Sequence, residues 1–142
     1  MRRIVSIRPV RPGTILETTW TPPFRWAGTH LGVFTGRTVN GKPTVIHNAR
    51  RIGKVIEEDL TSFAQGSDIR VLGYPGSLSP STVISRARSR LEDPWVLTQW
   101  NCEHFAFWAH GLDAKSPQAR RGVLLMATFF GLGLVALRGV MR

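Results

Sequence analysis

The sequence is short of cysteine and of acidic residues. It contains a single cysteine, Cys102, which excludes a disulfide within the sequence and any metal site built from several cysteines. Nine acidic residues stand against 19 lysines and arginines, so the formal net charge is +10 at pH 7. Such a surface attracts phosphate groups of lipids or nucleic acid, although a merely solvated basic surface would have the same composition.

Long apolar runs are also missing, with one exception near the C-terminus. The N-terminal stretch MRRIVSIRPVRPG is basic and has no apolar segment of the length that a signal peptide needs, so we expect a cytosolic start. Residues 122–137, in contrast, are 16 consecutive uncharged residues, and they are apolar all round. A spanning helix needs about 20 residues, and Arg138 near the end could reach the membrane interface.

The apolar run divides the chain into two predicted parts. We expect a catalytic-type domain over residues 1–119 and a hydrophobic membrane-anchor helix over residues 120–142; a buried core helix is the alternative. Arg120 and Arg121 precede the run, and cationic flanks favour the cytoplasmic side. The sequence therefore predicts a membrane-associated protein whose domain is cytoplasmic.

Turn and strand patterns predict a small sheet in the first half of the chain. The whole chain has 142 residues, 42% of them hydrophobic, which is the length and composition of one folded domain. Pro12-Gly13 and Asn40-Gly41 mark turns, and prolines make TPPFRWAG a loop. The predicted strands are Thr14–Thr18, His30–Gly36 and Pro43–Ala49, with a further short strand and turn in KVIEEDL.

Two helices are predicted in the second half. Ser79 can cap the first helix, Pro80 suits its first turn, and Asp93-Pro94 marks its end. The second helix is predicted over Cys102–Gly111, with the glycine as its stop. Strands followed by helices indicate an α+β fold. One face of the first helix carries apolar residues at helical spacing: Val83, Ile84, Ala87 and Leu91.

Cys102 is the candidate nucleophile. A thiol attacks as its thiolate, and a helix N-terminus lowers the thiol pKa because free backbone N–H groups favour negative charge there. If the helix begins near Asn101, then Cys102 occupies that position. The competing interpretation is a small buried residue among aromatic side chains, which is the usual state of a lone cysteine.

A base for Cys102 has to come from one of four histidines. His104 lies two residues on, about 200° around a helix, and His110 lies more than two turns away. His30 and His47 remain, both on the predicted hairpin. A histidine on a strand is more often a hydrogen-bonded structural residue than a base, so neither is decisive alone.

The order of the motifs resembles a known family. RPGTILE, HLGVFTG, VIHNA, a Ser-Pro helix and NCEHF follow one another as in the lecithin retinol acyltransferase-like family, and most closely resemble its HRAS-like suppressor phospholipase/acyltransferase branch. The resemblance covers about residues 11–119. It implies a circularly permuted NlpC-type or papain-like α+β fold, with a small antiparallel sheet and packed helices. Leu31 departs from the family, where an aromatic residue is common.

The resemblance also implies a catalytic set and a reaction. Cys102 matches the nucleophile, His30 the general base and His47 the polar third member. Asn101 and Glu103 would support the site, and no metal or organic cofactor is required. The implied substrate is a phospholipid or other acyl ester at an anionic membrane surface, attacked to give a thioester on the cysteine. No nucleic-acid-binding motif is present.

The register of the hairpin decides whether the two histidines can meet. A two-residue turn at Asn40-Gly41 would place His47 opposite Phe34, about 13 Å along the strand from His30. That separation excludes a hydrogen bond between the rings. We therefore predict a longer loop over 37–40, or a bulge that shifts the register.

Two other functions stay open from the sequence. A peptidase or isopeptidase of a related permuted papain-like fold would use the same residue types, although Glu103 favours the acyltransferase, because the deubiquitinase-like relatives resemble NCNHF. A non-enzymatic membrane-binding protein would use the basic surface and the apolar run, and would need Cys102 only for structure.

Overall fold

Five strands form one antiparallel sheet in the order β4-β3-β2-β1-β5. The computed structural model describes residues 10–19 and 28–113 of the chain. The strands are β1 (Ile15–Thr19), β2 (Thr29–Val39), β3 (Lys42–Ala49), β4 (Lys54–Asp59) and β5 (Ile69–Gly73). The described helices are α1 (Leu60–Ala64), α2 (Pro80–Arg88) and α3 (Cys102–Ala109). The α+β class is confirmed.

The β2–β3 hairpin combines a tight turn with a bulge. Asn40 and Gly41 both have positive φ, at 51° and 74°, and Val39 pairs with Lys42 across them. The predicted longer loop is therefore wrong. Phe34 and Thr38 are four positions apart on β2, whereas their partners Val45 and Pro43 on β3 are two positions apart, so β2 carries two extra residues. The predicted bulge is present, and it moves His47 from a position opposite Phe34 to one opposite Gly32, two residues from His30.

The two faces of the sheet carry separate hydrophobic clusters because successive side chains of a strand point to opposite faces. On one face Val33, Ile46 and Val55 pack with residues of α2 and α3, among them Phe105. On the other face Phe34 and Val45 pack with Leu60 and Phe63 of α1. The sheet is thus buried on both sides, and the histidine pair described below lies on the α1 face.

The sequence predicted the helix starts better than the helix ends. Ser79 caps α2 and Pro80 opens it, as predicted. The helix ends at Arg88, however, so Leu91 lies outside it and is 37% exposed. The prediction of Leu91 on the buried face is wrong, because Arg90 and Leu91 continue the chain through tight turns that bond to Ala87 and Arg88.

Helix α1 and strand β5 were not predicted: α1 is one short turn capped by Asp59, and β5 is an edge strand with mostly exposed residues. Within residues 10–19 and 28–113, no helix has the length and apolar character to cross a bilayer. The anchor predicted over 120–142 and the boundary at residue 119 lie outside the described residues.

Candidate active site

Cys102 is the first residue of α3. Asn101 caps the helix in an extended conformation, and its Oδ1 accepts the backbone N–H groups of Glu103 and His104 at 3.0 and 3.2 Å. Its side-chain amide donates to Leu97 O at 2.9 Å. The predicted helix start is confirmed, and the Asn101 side chain is held in place by bonds to both sides of the helix start.

The thiol of Cys102 is buried against strand β2. Its residue is 1% exposed, and the backbone N–H of Leu31 lies within hydrogen-bonding reach of the sulfur. Burial raises the pKa of the Cys102 thiol to about 12, and the charge of Glu103 adds to the rise, while nearby backbone N–H groups oppose it. The expected lowering at the helix start is therefore outweighed, and the thiol is protonated at neutral pH.

His30 and His47 form a direct hydrogen bond. His30 Nε2 and His47 Nδ1 are 2.6 Å apart, and the rings meet edge-on. The Phe63 ring of α1 packs on both, with ring centroids 5.3 and 5.1 Å away. Because Leu31 follows His30 along β2, the strand that carries the His30 ring also approaches the thiol with its backbone. The structure thus brings His30 and His47 together, and strand β2 connects His30 to the residue whose backbone approaches Cys102. The role of His30 as the base for Cys102 stays a prediction.

Gly32 makes room for the histidine pair. It lies one residue beyond the Val33–Ile46 pair, next to His47. A Cβ at this position would come within 2.4 Å of Val45 Cγ1, 2.9 Å of the Phe63 ring and 3.3 Å of His47 Cβ. After the bulge, the positions of His30 and His47 are still two residues out of register. Because Gly32 has no side chain, the His30 ring can reach diagonally across the strand pair to His47.

Glu58 is a further member of this cluster, and it is not among the residues predicted from the sequence. His47 Nε2 is 2.7 Å from Glu58 Oε1, and the Arg51 guanidinium contacts both carboxylate oxygens. Glu58 follows two residues after Ile56, the neighbour of His47 on β4, so it shares the face of His47. The sequence signal for this contact is an acidic residue, Glu58, at an alternating position of the strand that follows the one carrying His47.

The pKa values of these groups favour neutral histidines and an ionised carboxylate. Burial holds the pKa of His30 well below its ordinary value, and the nearby His47 and Arg51 add to the effect. Burial also lowers the pKa of His47, in spite of the bond to Glu58. Burial alone would raise the pKa of Glu58, but its bonds with His47 and Arg51 lower it overall.

Comparison with known proteins identifies the family of the chain. The sequence model of the lecithin retinol acyltransferase family matches residues 27–112, which is more than half of the chain. The chain belongs to the lecithin retinol acyltransferase family. A search among curated proteins gives no match. Family membership indicates chemistry of the acyltransferase and phospholipase type in general, with a lipid acyl substrate.

The matched segment of this acyltransferase-family chain contains two more histidines, and both have other partners. The His104 ring accepts the Asn101 backbone N–H at 3.3 Å, which completes a capping box at the start of α3. His110 is 1% exposed; its Nε2 is 2.8 Å from Gly13 O and its Nδ1 accepts the Gly76 N–H. His104 thus belongs to the helix cap and His110 ties the end of α3 to two loops.

Glu103 is also part of the family segment, and it is 8% exposed in the first turn of α3. Negative charge there suits the helix dipole but disfavours a thiolate on Cys102. Among the described residues, no group of three histidine, cysteine, aspartate or glutamate side chains is arranged to hold a metal ion.

Proposed function

We propose that this chain is a thiol-dependent acyl hydrolase or acyltransferase that cleaves phospholipid esters at a membrane surface through a thioester on Cys102. The observation that carries the proposal is the His30–His47 hydrogen bond on the strand whose next residue, Leu31, has its backbone N–H within hydrogen-bonding reach of the buried Cys102 thiol. A neutral imidazole and a neutral thiol are the reactants that general-base attack needs. Family membership favours an acyl ester over the peptide bond of the alternative hydrolases.

The first half of the proposed reaction transfers the acyl group to sulfur. The proton of Cys102 Sγ moves to the His30 ring while Sγ attacks the ester carbonyl carbon. The Cys102 backbone N–H would stabilise the developing oxyanion, because the Glu103 and His104 N–H groups already donate to Asn101 Oδ1. The carbon–oxygen bond to the lysolipid then breaks, and the leaving oxygen takes the proton from His30. The products are the free lysolipid and a thioester.

The second half regenerates the thiol. Water, an amine or a lysolipid hydroxyl loses a proton to His30 and attacks the thioester carbonyl carbon. The carbon–sulfur bond breaks, and the proton returns from His30 to Cys102. Water gives phospholipase activity, and the other acceptors give acyl transfer. In both halves His47 orients the His30 ring through the 2.6 Å bond and stabilises the imidazolium that forms.

An exposed apolar surface beside the site supports action at a membrane. Ile52, Val96 and Leu97 are 46%, 38% and 37% exposed, and the backbone bond from Trp95 N to Gly53 O places their two loops side by side. The Asn101 amide joins this surface to the start of α3 through Leu97 O. Such a surface would enter the headgroup region next to Cys102.

Trapping the thioester tests the reaction. The full chain would be mixed with phosphatidylcholine vesicles that carry a labelled acyl chain, and its intact mass measured after rapid quenching. We expect an adduct of one acyl group on Cys102 that is absent from Cys102→Ala and unchanged in His104→Gln, which keeps the capping box. Turnover that is equal in the wild type and Cys102→Ala would refute the proposal. Peptide and ubiquitin-like substrates in parallel test the peptidase alternative.

Comparing the turnover of vesicle lipid with that of a water-soluble ester tests whether the exposed apolar surface contacts the membrane. We expect Val96→Ser with Leu97→Ser to slow the turnover of vesicle lipid but not of a water-soluble short-chain ester. A control pair, Val71→Ser with Leu72→Ser, changes residues of similar exposure on β5, at 51% and 48%. Equal effects of the two double variants on vesicle turnover would count against the assigned surface.

A further inference from the structure

We propose that Glu58, held by Arg51, is a positioning residue that fixes which ring nitrogen of His30 takes the proton. This inference rests on the proposed function and adds a fourth and a fifth side chain to the predicted set of three. The four groups form one continuous line from the protein surface to the site: Arg51 to Glu58, Glu58 to His47, and His47 to His30.

The line has a direction because a carboxylate can only accept hydrogen bonds. If Glu58 is ionised, His47 Nε2 must carry the hydrogen that bridges the 2.7 Å contact. A neutral His47 then has its lone pair on Nδ1, so the 2.6 Å contact requires a hydrogen on His30 Nε2. That leaves the lone pair of a neutral His30 on Nδ1, which becomes the basic atom.

The opposite direction would disable the base. A protonated Glu58 could donate to His47 Nε2, and His47 Nδ1–H could then donate to His30 Nε2. His30 would carry its hydrogen on Nδ1 and have no lone pair left to take the proton of Cys102. The charge of Glu58 therefore selects between a competent and an incompetent arrangement of the same rings.

The surroundings of Glu58 favour the ionised form. Arg51 contacts both of its oxygens, and the Glu58 side chain is 15% exposed. Among the described residues, the charged or titratable groups that bond to Glu58 are His47 from β3 and Arg51 from the β3–β4 turn, while α1 contributes the apolar Phe63 to the same cluster. The adjacent Glu57 bonds instead to Arg88 and Thr44.

Nitrogen NMR of the histidine rings tests the proposal without any substrate. The full chain would be labelled with ¹⁵N-histidine, and the signals of His30 and His47 assigned by single substitutions. We expect hydrogen on Nε2 of both rings in the wild type. Glu58→Gln, whose amide can donate or accept, should populate the form of His30 with hydrogen on Nδ1. Glu57→Gln is the matched control and should leave both rings unchanged.

The rate of acyl-adduct formation on Cys102 is the second readout. We expect Glu58→Gln to slow it about tenfold or more, which is part of the ~10²–10⁴-fold that a general base contributes. Thermal unfolding would confirm that the variant is folded. A hydrogen on Nδ1 of His47 in the wild type, or tautomers and rates unchanged by Glu58→Gln, would overturn the proposal. No adduct in the wild type would instead overturn the proposed function, and the NMR result would still decide the role of Glu58.

Discussion

His30 Nε2 and His47 Nδ1 lie 2.6 Å apart although the two residues are not directly opposed in the sheet. The β2 bulge brings their positions closer, and Gly32 leaves the gap through which the His30 ring reaches His47. Because His30 is the proposed base and His47 only orients its ring, the two histidines should contribute unequally to catalysis.

Substitution of each histidine measures that difference. We expect His30→Ala to lower the rate of acyl-adduct formation on Cys102 by about 10²–10⁴-fold, the usual contribution of a general base. His47→Asn should cost less, because His30 keeps its proton-accepting ring and loses only its orientation. The rates would be followed by intact mass after rapid quenching. A larger loss in His47→Asn than in His30→Ala would reverse the assigned roles.

A side chain at Gly32 should damage both stability and activity. Gly32→Ala places a Cβ against Val45, Phe63 and His47, and overpacking of this kind costs about 1–3 kcal/mol. Gly53→Ala is the comparison. A Cβ added at Gly53 would have nothing within 4 Å, so the loss of stability would come from the φ of +85° alone. Urea unfolding and adduct formation would be measured on both. We expect only Gly32→Ala to slow the adduct, and equal rates would argue against this account of the pair.

The fold around the site could be predicted where local signals exist. Ser79, Pro80 and Asn101 are helix-start residues, and the positive φ of Asn40 and Gly41 is typical of an Asn-Gly hairpin turn. These features depend on neighbours in sequence, so the sequence alone suffices to place them.

Long-range features could not be predicted in the same way. The bulge contains Thr35, whose hydroxyl bonds to Thr44 across the strands and accepts the Arg37 N–H, contacts that local sequence signals do not specify. The bond between Glu58 and His47 depends on the β3–β4 register. The thiol pKa depends on burial by elements far apart in the chain, and the local helix-start argument alone gave the wrong direction.

Two substitutions of Asn101 separate the effect of the α3 cap from the effect of a negative charge beside Cys102. Asn101→Ala should lower the free energy of unfolding by about 1 kcal/mol because the Glu103 and His104 N–H groups lose their acceptor. Asn101→Asp keeps an acceptor and should preserve most of the stability, but it adds a negative charge beside Cys102 and should slow adduct formation. Denaturation and rapid-quench mass measurements would test the pair. An Asp variant as active as the wild type would contradict the electrostatic argument.

Acid should destabilise the protein through its buried histidines. Burial lowers the pKa of His110 as well as those of His30 and His47, so the unfolded chain binds more protons below its histidine pKa of about 6.5. Stability is therefore complete above that pH and falls as the pH drops through it, by up to about 2 kcal/mol at pH 5 for each fully buried histidine. Urea unfolding from pH 5 to 8 would measure the slope.

A variant assigns part of that slope to one residue. His110→Gln cannot titrate, so its stability should depend less on pH than that of the wild type, whatever its absolute stability. Since the neutral His110 ring bonds to Gly13 O and the Gly76 N–H, protonation would remove its acceptor. A wild-type stability that stays level or rises between pH 7 and 5 would contradict the prediction.

Without substrate, the Cys102 thiol should react slowly with alkylating reagents. Burial raises its pKa to about 12, compared with about 8.5 for a free cysteine, so the thiolate fraction at pH 7.5 is lower by roughly 10³-fold. We expect iodoacetamide to alkylate the folded protein far more slowly than the urea-unfolded protein, and the rate to rise with pH up to at least pH 10. Peptide mass spectrometry would give the rates. A fast reaction that levels off near pH 7 would show a preformed thiolate–imidazolium pair, and the thiol proton would then have left before the substrate binds.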